Sequence, residues 1–495
     1  MFSHAIKTDG LVFSGPKPPK VSFIVAIAVA TIACYLNAYH FPPIIPYIVF
    51  VLGIVTILVD DILGMKVYLL SLLIFDDFPK FFSEAVASDF HTIYNMKVAG
   101  NTMFMIWTSL LFGKLILRES LVRQFSVNNF LFPREVKAIL WVFVIAAVWG
   151  LQNLLSSPKY YINDFSFLVN TLVGLYAAYV LVKSEQDLKR YFWLFLIISF
   201  FKYSIVLIDG IGMSSHFAMY TLKAESGSYL SIIPLSFFII YTYRTKPSIS
   251  FNRKTYFFLL SCSALTIAYN VVTASRGRFI LLAMAFVLAF IVTKKYRILV
   301  LASIAVFCVL GAIYSLNPKF VQYAAWKLST VRPGSEESAS STVRAIEYSN
   351  IVGQQIDQPY LLPFGTGYGG FFTSKYKPFT FTLDEDAYPM DWIVKDQFYK
   401  PHSTVLFSLL KSGVVGIFVF YGALISISRK SLKAAMKRYD PGSDIVITLS
   451  LAMPLLFIIN FTPKTQVFSG FVLGILITRR LIQGRNENGH YIDGI

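Results

Sequence analysis

Apolar runs of about twenty residues recur from Val21 to Ile482, each long enough to cross the ~30 Å hydrocarbon core of a bilayer as a helix. The windows fall at 22–39, 43–59, 66–83, 100–117, 137–155, 164–182, 190–208, 227–243, 255–273, 278–293, 297–315, 403–427, 444–461 and 465–482. They predict an all-α polytopic membrane protein with about 14 (12–14) transmembrane helices. Asp76, Asp77 and Lys80 interrupt the third window, which also reads as a re-entrant or interfacial piece. The first run follows a short basic tail carrying Lys7, Lys17 and Lys20, with no small-residue cleavage site after it. It is expected to be an uncleaved first helix. Soluble Rossmann, barrel and sandwich folds are excluded by the length of these runs.

One connection departs from the pattern of short polar links. Residues 316–402 form a loop of 87 residues with 8 basic and 9 acidic side chains, and long loops of this kind are usually functional. The chain thus divides into a tail (1–21), eleven helices (22–315), a loop domain carrying short helices (316–402), three helices (403–482) and a second tail (483–495). Within the loop, 341–356 has the spacing of an amphipathic helix with Val343, Ile346, Ile351 and Val352 on its apolar side. Residues 363–370 (PFGTGYGG) are turn-rich. No internal repeat or low-complexity tract is visible, so the inverted-repeat signature of many secondary transporters is not supported.

Composition agrees with this pattern. The chain is 56% hydrophobic and 14% charged, against about 45–50% and about 25% in soluble domains. Its mean hydropathy is +0.61. The net charge of +17 reads as topology rather than nucleic-acid affinity. With the amino terminus inside, cytoplasmic segments carry 26 Lys and Arg and the short external links carry 6, which places both termini in the cytoplasm. Cys34, Cys262 and Cys308 all lie in apolar runs without metal or redox spacing.

The parity of the spans brings the Ser275–Arg278 link, the long loop and His402 to the same external side. Cations there run against the general charge bias. Arg276, Arg278 and Arg344 suit a diphosphate, because the guanidinium fork donates paired hydrogen bonds and stays charged. Snorkelling to headgroups is the other reading of Arg276 and Arg278. Arg344 also stands three residues before Glu347, where an intrahelical ion pair is the alternative. His402 opens the twelfth span and can take a proton from a hydroxyl, or merely occupy an interfacial cap position.

Lys202 and Lys411 are cations inside apolar windows, which need a partner or an aqueous cavity. Lys411 lies nine residues beyond His402, about 13 Å deeper on a straight helix. Lys114, near a span end, reads as snorkelling. The glycines from Gly365 to Gly370 follow Pro363 rather than a βαβ strand, so they do not read as a dinucleotide site. A glycine turn that lets the backbone approach a substrate or fold back on the membrane is the better account. Loop aromatics, Tyr348 among them, could stack on sugars or form the loop's own core. Asp384, Glu385 and Asp386 read as a solvated run, and no spacing argues for a bound metal.

Four motifs occur in order: SRGR at 275–278, TVRAIEYSNI at 342–351, LPFGTGYGGF at 362–371 and PHSTVLFSLLKSGVVG at 401–416. Together, in this topology, they resemble the O-antigen polymerase and O-antigen ligase superfamily of bacterial envelope enzymes, over roughly residues 255–427. The resemblance implies an inner-membrane glycosyltransferase whose donor is a glycan on undecaprenyl diphosphate, acting at the periplasmic face without cofactor or metal. It implies that Arg276 and Arg344 hold the donor diphosphate and that His402 positions or activates the acceptor hydroxyl. Arg278 is added from its charge, and Glu347, Lys411 and Tyr348 are expected to bind substrate. Partners on this reading are the undecaprenyl-diphosphate-linked oligosaccharide, membrane lipid, and a chain-length regulator and flippase of the same pathway, with no nucleic acid. His402-Ser403, where many ligases are expected to have His-Asn, and fourteen spans rather than about twelve favour polymerase over ligase. A protein O-glycan transferase and a lipid-linked glycan transporter are further readings, the transporter disfavoured by the 87-residue external loop.

Overall fold

Helices occupy every predicted window that falls within the described residues. The computed structural model describes residues 21–39, 44–75, 92–94, 96–122, 133–212, 228–244, 253–273, 276–298, 300–301, 339–379, 388–437, 441–458 and 462–487. The helices are α1 Val21–Tyr39, α2 Ile44–Val59, α3 Asp61–Ile74, α4 Met103–Val122, α5 Arg134–Trp149, α6 Leu151–Ser156, α7 Pro158–Leu181, α8 Glu185–Gly212 and α9 Ser228–Arg244. They continue as α10 Arg253–Thr273, α11 Arg276–Thr293, α12 Ala339–Asp357, α13 Leu361–Phe364, α14 Met390–Lys395, α15 Thr404–Met436, α16 Pro441–Ile458 and α17 Pro463–Glu487. Two of them, α7 and α15, are long and apolar enough to cross a membrane, and shorter apolar helices accompany them. Most of the eleventh window, 297–315, and the acidic run 384–386 lie outside the described residues.

Three expectations change. The third helix begins at Asp61 rather than 66, because the Asp60 carboxylate caps it, accepting from the backbone N–H of Ile62 (2.8 Å) and Leu63 (3.3 Å). It ends at Ile74, before the charged residues 76–80, which lie outside the described set. The fourth window opens not as helix but as a two-residue hairpin, Lys97–Val98 against Asn101–Thr102, turned by Ala99 and Gly100 at positive φ. The fifth window is not continuous: α5 and α6 are separated at Gly150.

Apolar side chains face both inward and outward. On α2, Ile48, Val51, Leu52, Val55 and Leu58 are all at least half exposed, while Phe50 and Ile57 are buried. A soluble protein does not present such a face. The interior instead carries paired polar groups, as expected where the surroundings are apolar. Asn170 donates to Gln466 (2.7 Å), and Arg244 pairs with Asp444 (2.5 Å) while donating to the Ala435 carbonyl (3.0 Å). The Lys464 ammonium, wholly buried, donates to the Phe75 carbonyl. Packing between α7 and α17 is close: a Cβ at Gly470 would stand 2.2 Å from the Thr171 carbonyl oxygen, and one at Gly474 2.6 Å from Ala178 Cβ. This is small-residue packing of the kind that draws helices together where no hydrophobic driving force separates them from lipid.

Candidate functional site

The loop builds a small core of its own beside the start of α15. Val343 and Ile351 of α12 pack with Phe372, Tyr388, Phe398, Leu409 and Leu410. Val343, Ile346 and Ile351 are each no more than 3% exposed, as the amphipathic spacing requires, with Val352 at the margin of the cluster. Phe372 and Phe398 form an antiparallel bridge that ties the two halves of the loop together. Asn350 holds α12 to the following segment, accepting from the N–H of Tyr376 (3.0 Å) and Lys377 (2.9 Å) and donating to the Lys377 carbonyl (2.8 Å). Gln355 donates to the Leu409 carbonyl (3.0 Å). At the outer end of α12, Asp357 accepts from Lys375 (2.8 Å) and from the Tyr376 hydroxyl. Those two hydrogen bonds hold its carboxyl below the usual carboxylate range, and the same contact raises Lys375.

Beneath this layer Glu347 meets His402. The carboxylate is wholly buried, and its Oε1 lies 2.5 Å from His402 Nδ1. The same carboxylate accepts from the His402 backbone N–H at 2.9 Å (Oε1) and 3.1 Å (Oε2), and from the Tyr388 hydroxyl. The Tyr388 ring stands edge-on to the imidazole, 4.9 Å between centroids. A carboxylate only accepts, so Nδ1 donates to Glu347, and this bond fixes the orientation of the ring. The imidazole is 18% exposed, whereas the carboxylate that orients it is sealed from water.

A second construction underlies the first. Helix α15 breaks at Gly413, whose φ of 66° and ψ of −170° leave the Leu410 and Lys411 carbonyls without helical partners. The glycine loop supplies them: Thr366 N–H donates to Leu410 O (2.6 Å) and Gly367 N–H to Lys411 O (3.2 Å). Gly365, Gly367 and Gly369 all have positive φ, and a Cβ at Gly365 would stand 2.5 Å from the Leu410 oxygen. The other face of the loop docks at the α5–α6 break. Tyr368 N–H donates to Ala146 O (3.0 Å), Trp149 Nε1 to Gly365 O (3.1 Å), and Asn153 Nδ2 to Thr366 O and Tyr368 O (3.0 Å each). Lys411 and Asp164 close the assembly as a buried ion pair at 2.7 Å. Each also holds the loop backbone, Lys411 donating to Gly370 O (2.5 Å) and Asp164 accepting from Gly369 N–H (2.8 Å).

The expected site residues therefore have different places. Arg276 and Arg278 open α11, but their side chains lie outside the described set. Arg344 and Tyr348 are exposed one turn apart on α12. Arg344 does not form the intrahelical pair with Glu347, because that carboxylate turns into the core toward His402 and Tyr388. Glu347, expected to bind substrate, has no exposed surface with which to do so. Lys411 is 1% exposed and fully engaged by Asp164 and Gly370, so its apolar setting is met by a partner rather than by a ligand. Tyr388, Asn153 and Asp164 carried no special weight in the sequence. Asp164 had one usable signal, a carboxylate at the mouth of an apolar window whose buried charge requires a cation. Among the described residues no three His, Cys, Asp or Glu side chains converge as a metal site would need.

A comparison with curated proteins returned no significant match. Residues 258–421 match the family model described as O-antigen ligase, a stretch that runs from α10 through the loop, Glu347, the glycine turn and His402 into α15. Over these residues the chain is similar to the O-antigen ligase family, in keeping with the likeness to the O-antigen polymerase and ligase superfamily that the four motifs point to.

Proposed function

We propose that the protein is an integral-membrane glycosyltransferase that moves a glycan from a polyprenyl diphosphate to the hydroxyl of a lipid-linked repeat unit, and so acts as a polysaccharide polymerase. The observation that carries this reading is the bond between buried Glu347 and His402, which orients the imidazole, and on this reading Nε2 serves as the base. The acceptor oxygen attacks the anomeric carbon, the bond from that carbon to the diphosphate oxygen breaks, and the hydroxyl proton passes to His402 Nε2. Arg276 and Arg344 stabilise the charge that develops on the departing diphosphate, and Arg278 is a further cationic candidate. Tyr348, exposed one turn from Arg344, would on this reading contact a sugar of the substrate. The leaving group needs no activation by nucleotide or metal when arginines supply the positive charge. Glu347 acts through His402, and Lys411 through the loop it anchors, rather than by touching substrate.

On this reading the chain crosses the bacterial inner membrane about fourteen times with both termini cytoplasmic and the site periplasmic, supported by the excess of Lys and Arg on the cytoplasmic side. A flippase and a chain-length regulator of the same pathway would supply the donor and limit the product. The description of the matching family favours a second reading, transfer onto lipid A core. Purified protein incubated with a lipid-linked repeat unit, with and without lipid A core, separates the two. A ladder still released by mild acid from polyprenyl diphosphate is the expected product. Sugar moved onto lipid A core establishes the ligase reading instead, and no turnover with cognate substrates shifts the weight to transport.

A further inference from the structure

The glycine loop is preceded by a short apolar segment whose position does not fit an aqueous loop. Ile356, Tyr360, Leu362 and Phe364 are 68%, 60%, 45% and 42% exposed, while Leu361 between them is buried. Helix α13 is not out in solvent above the bundle. A Cβ at Gly413 would stand 2.4 Å from the Pro363 carbonyl carbon and oxygen, so α13 lies directly against α15 at its break. On its other side the Phe364 ring lies 5.9 Å from that of Trp149 at the end of α5. Val414 and Ile417, beyond the break, pack against the loop core.

The depth of these contacts follows from helix geometry. From Arg429, at the charged end of α15, Ile417 is about 18 Å and Gly413 about 24 Å along the axis. From Lys137 on α5, Trp149 is about 18 Å. Both distances fall within the ~30 Å of bilayer hydrocarbon. The neighbours of α13 at this level are themselves outward-facing and apolar: Val148 and Trp149 on α5, Val415 and Phe418 on α15. The polar end of the segment, by contrast, is Asp357 with its Lys375 and Tyr376 partners.

We propose that residues 360–364 are a re-entrant membrane anchor, with Leu362 and Phe364 inserted among lipid acyl chains and Tyr360 at the headgroup level. The long loop is thereby fastened to the bilayer as well as to the helices. The partner is lipid rather than a second protein, because the exposed side chains of α13 stand at the same depth as the outward-facing apolar residues Val148 and Trp149 of α5 and Val415 and Phe418 of α15. Once inserted, the chain returns to the water side through the glycine turn, whose carbonyls and N–H groups are matched by Ala146, Trp149, Asn153 and the opened turn of α15. Backbone that is not helical is tolerated at such depth only when protein satisfies it in this way.

The full chain, with Cys34, Cys262 and Cys308 replaced by serine or alanine, can carry a single Leu362→Cys or Phe364→Cys, with Lys377→Cys as the aqueous control. Proteoliposomes are treated from outside with a charged maleimide, and in parallel the cysteines are labelled in detergent with a small fluorophore before reconstitution with brominated phosphatidylcholine. Only a hydrated thiolate reacts, so labelling at 362 and 364 is expected to be at least about tenfold slower than at 377. Fluorescence at 362 and 364 is expected to be quenched by lipid brominated near the upper acyl chain, and that at 377 to be unaffected. Equal labelling at all three positions overturns the proposal. Protection without quenching also overturns it, since the face is then covered by protein.

Discussion

His402 and Glu347 stand 55 residues apart in the chain, and the imidazole Nδ1 and the carboxylate Oε1 approach to 2.5 Å. The carboxylate is fully enclosed by the loop core while the imidazole keeps an exposed edge, the division that the proposed roles of positioning residue and base require.

Tyr388 is the third member of this arrangement. Its hydroxyl donates to Glu347 and its ring supports the imidazole edge-on. Tyr388→Phe retains the ring and removes the donor, leaving a buried carboxylate with one acceptor site unmet. A loss of about 1–3 kcal/mol in loop stability is expected. Thermal unfolding in detergent, with proteolysis of the 339–402 segment as a local readout, checks this, and the loss in turnover is expected to be smaller than that of Glu347→Gln.

The Asp164–Lys411 pair anchors the glycine loop between two helices. Removing one partner of a buried pair strands the other charge, at a cost of about 3–5 kcal/mol. Asp164→Asn and Lys411→Met are each expected to lower the melting temperature clearly, and the double variant to lose much less than the sum of the two. Strictly additive losses in the same melting experiment would show that the two groups do not act as a pair.

Helix α15 provides its own control for the break at Gly413. Gly413→Ala puts a Cβ 2.4 Å from the Pro363 carbonyl at a φ of 66°, where strain alone costs about 1–3 kcal/mol. Gly422 on the same helix has nothing within 4 Å of an added Cβ. Gly422→Ala is expected to melt at or above the parent temperature and Gly413→Ala well below it, measured side by side.

The Asp357 clip carries a pH signature. Its folded carboxyl titrates below the ordinary 3.8, so the clip is complete above that pH and is lost as pH falls through the depressed value. Lys375 is raised from 10.5, so it keeps its charge below that value and loses the contact only as pH rises through the higher one. Between those limits the clip is pH-independent. The amide exchange rate of Tyr376 in Asp357→Asn relative to the parent removes the intrinsic pH dependence. That ratio is expected to exceed one at neutral pH and to approach one in strong acid.

Much of the architecture was legible because apolar length and the 3.6-residue period are local properties. The amphipathic loop helix was read at 341–356 and is found at Ala339–Asp357, with the same apolar side inward. The helix breaks were not legible. Gly150 and Gly413 sit in apolar windows that continue on both sides, and at each break the distant glycine loop adds hydrogen bonds to helix carbonyls, Tyr368 N–H to Ala146 O and the N–H groups of Thr366 and Gly367 to Leu410 O and Lys411 O. The site residues follow the same division. His402 was visible from its position at a span boundary, but the burial of Glu347 and its bond to His402 arise from tertiary packing across 55 residues. Lys411 was rightly marked as a cation needing an answer, yet periodicity does not say which neighbouring helix carries the carboxylate.

The most direct measurement is the turnover of glycan transfer in proteoliposomes, at saturating lipid-linked donor, for the parent, His402→Ala and Glu347→Gln. With His402 as base and Glu347 orienting it, His402→Ala is expected to lower kcat by at least about a hundredfold. Glu347→Gln is expected to lower it by at least about tenfold while donor affinity is unchanged, since only the orientation of the base is lost. Parent-like kcat in Glu347→Gln, in protein that is folded and binds donor, would contradict the account.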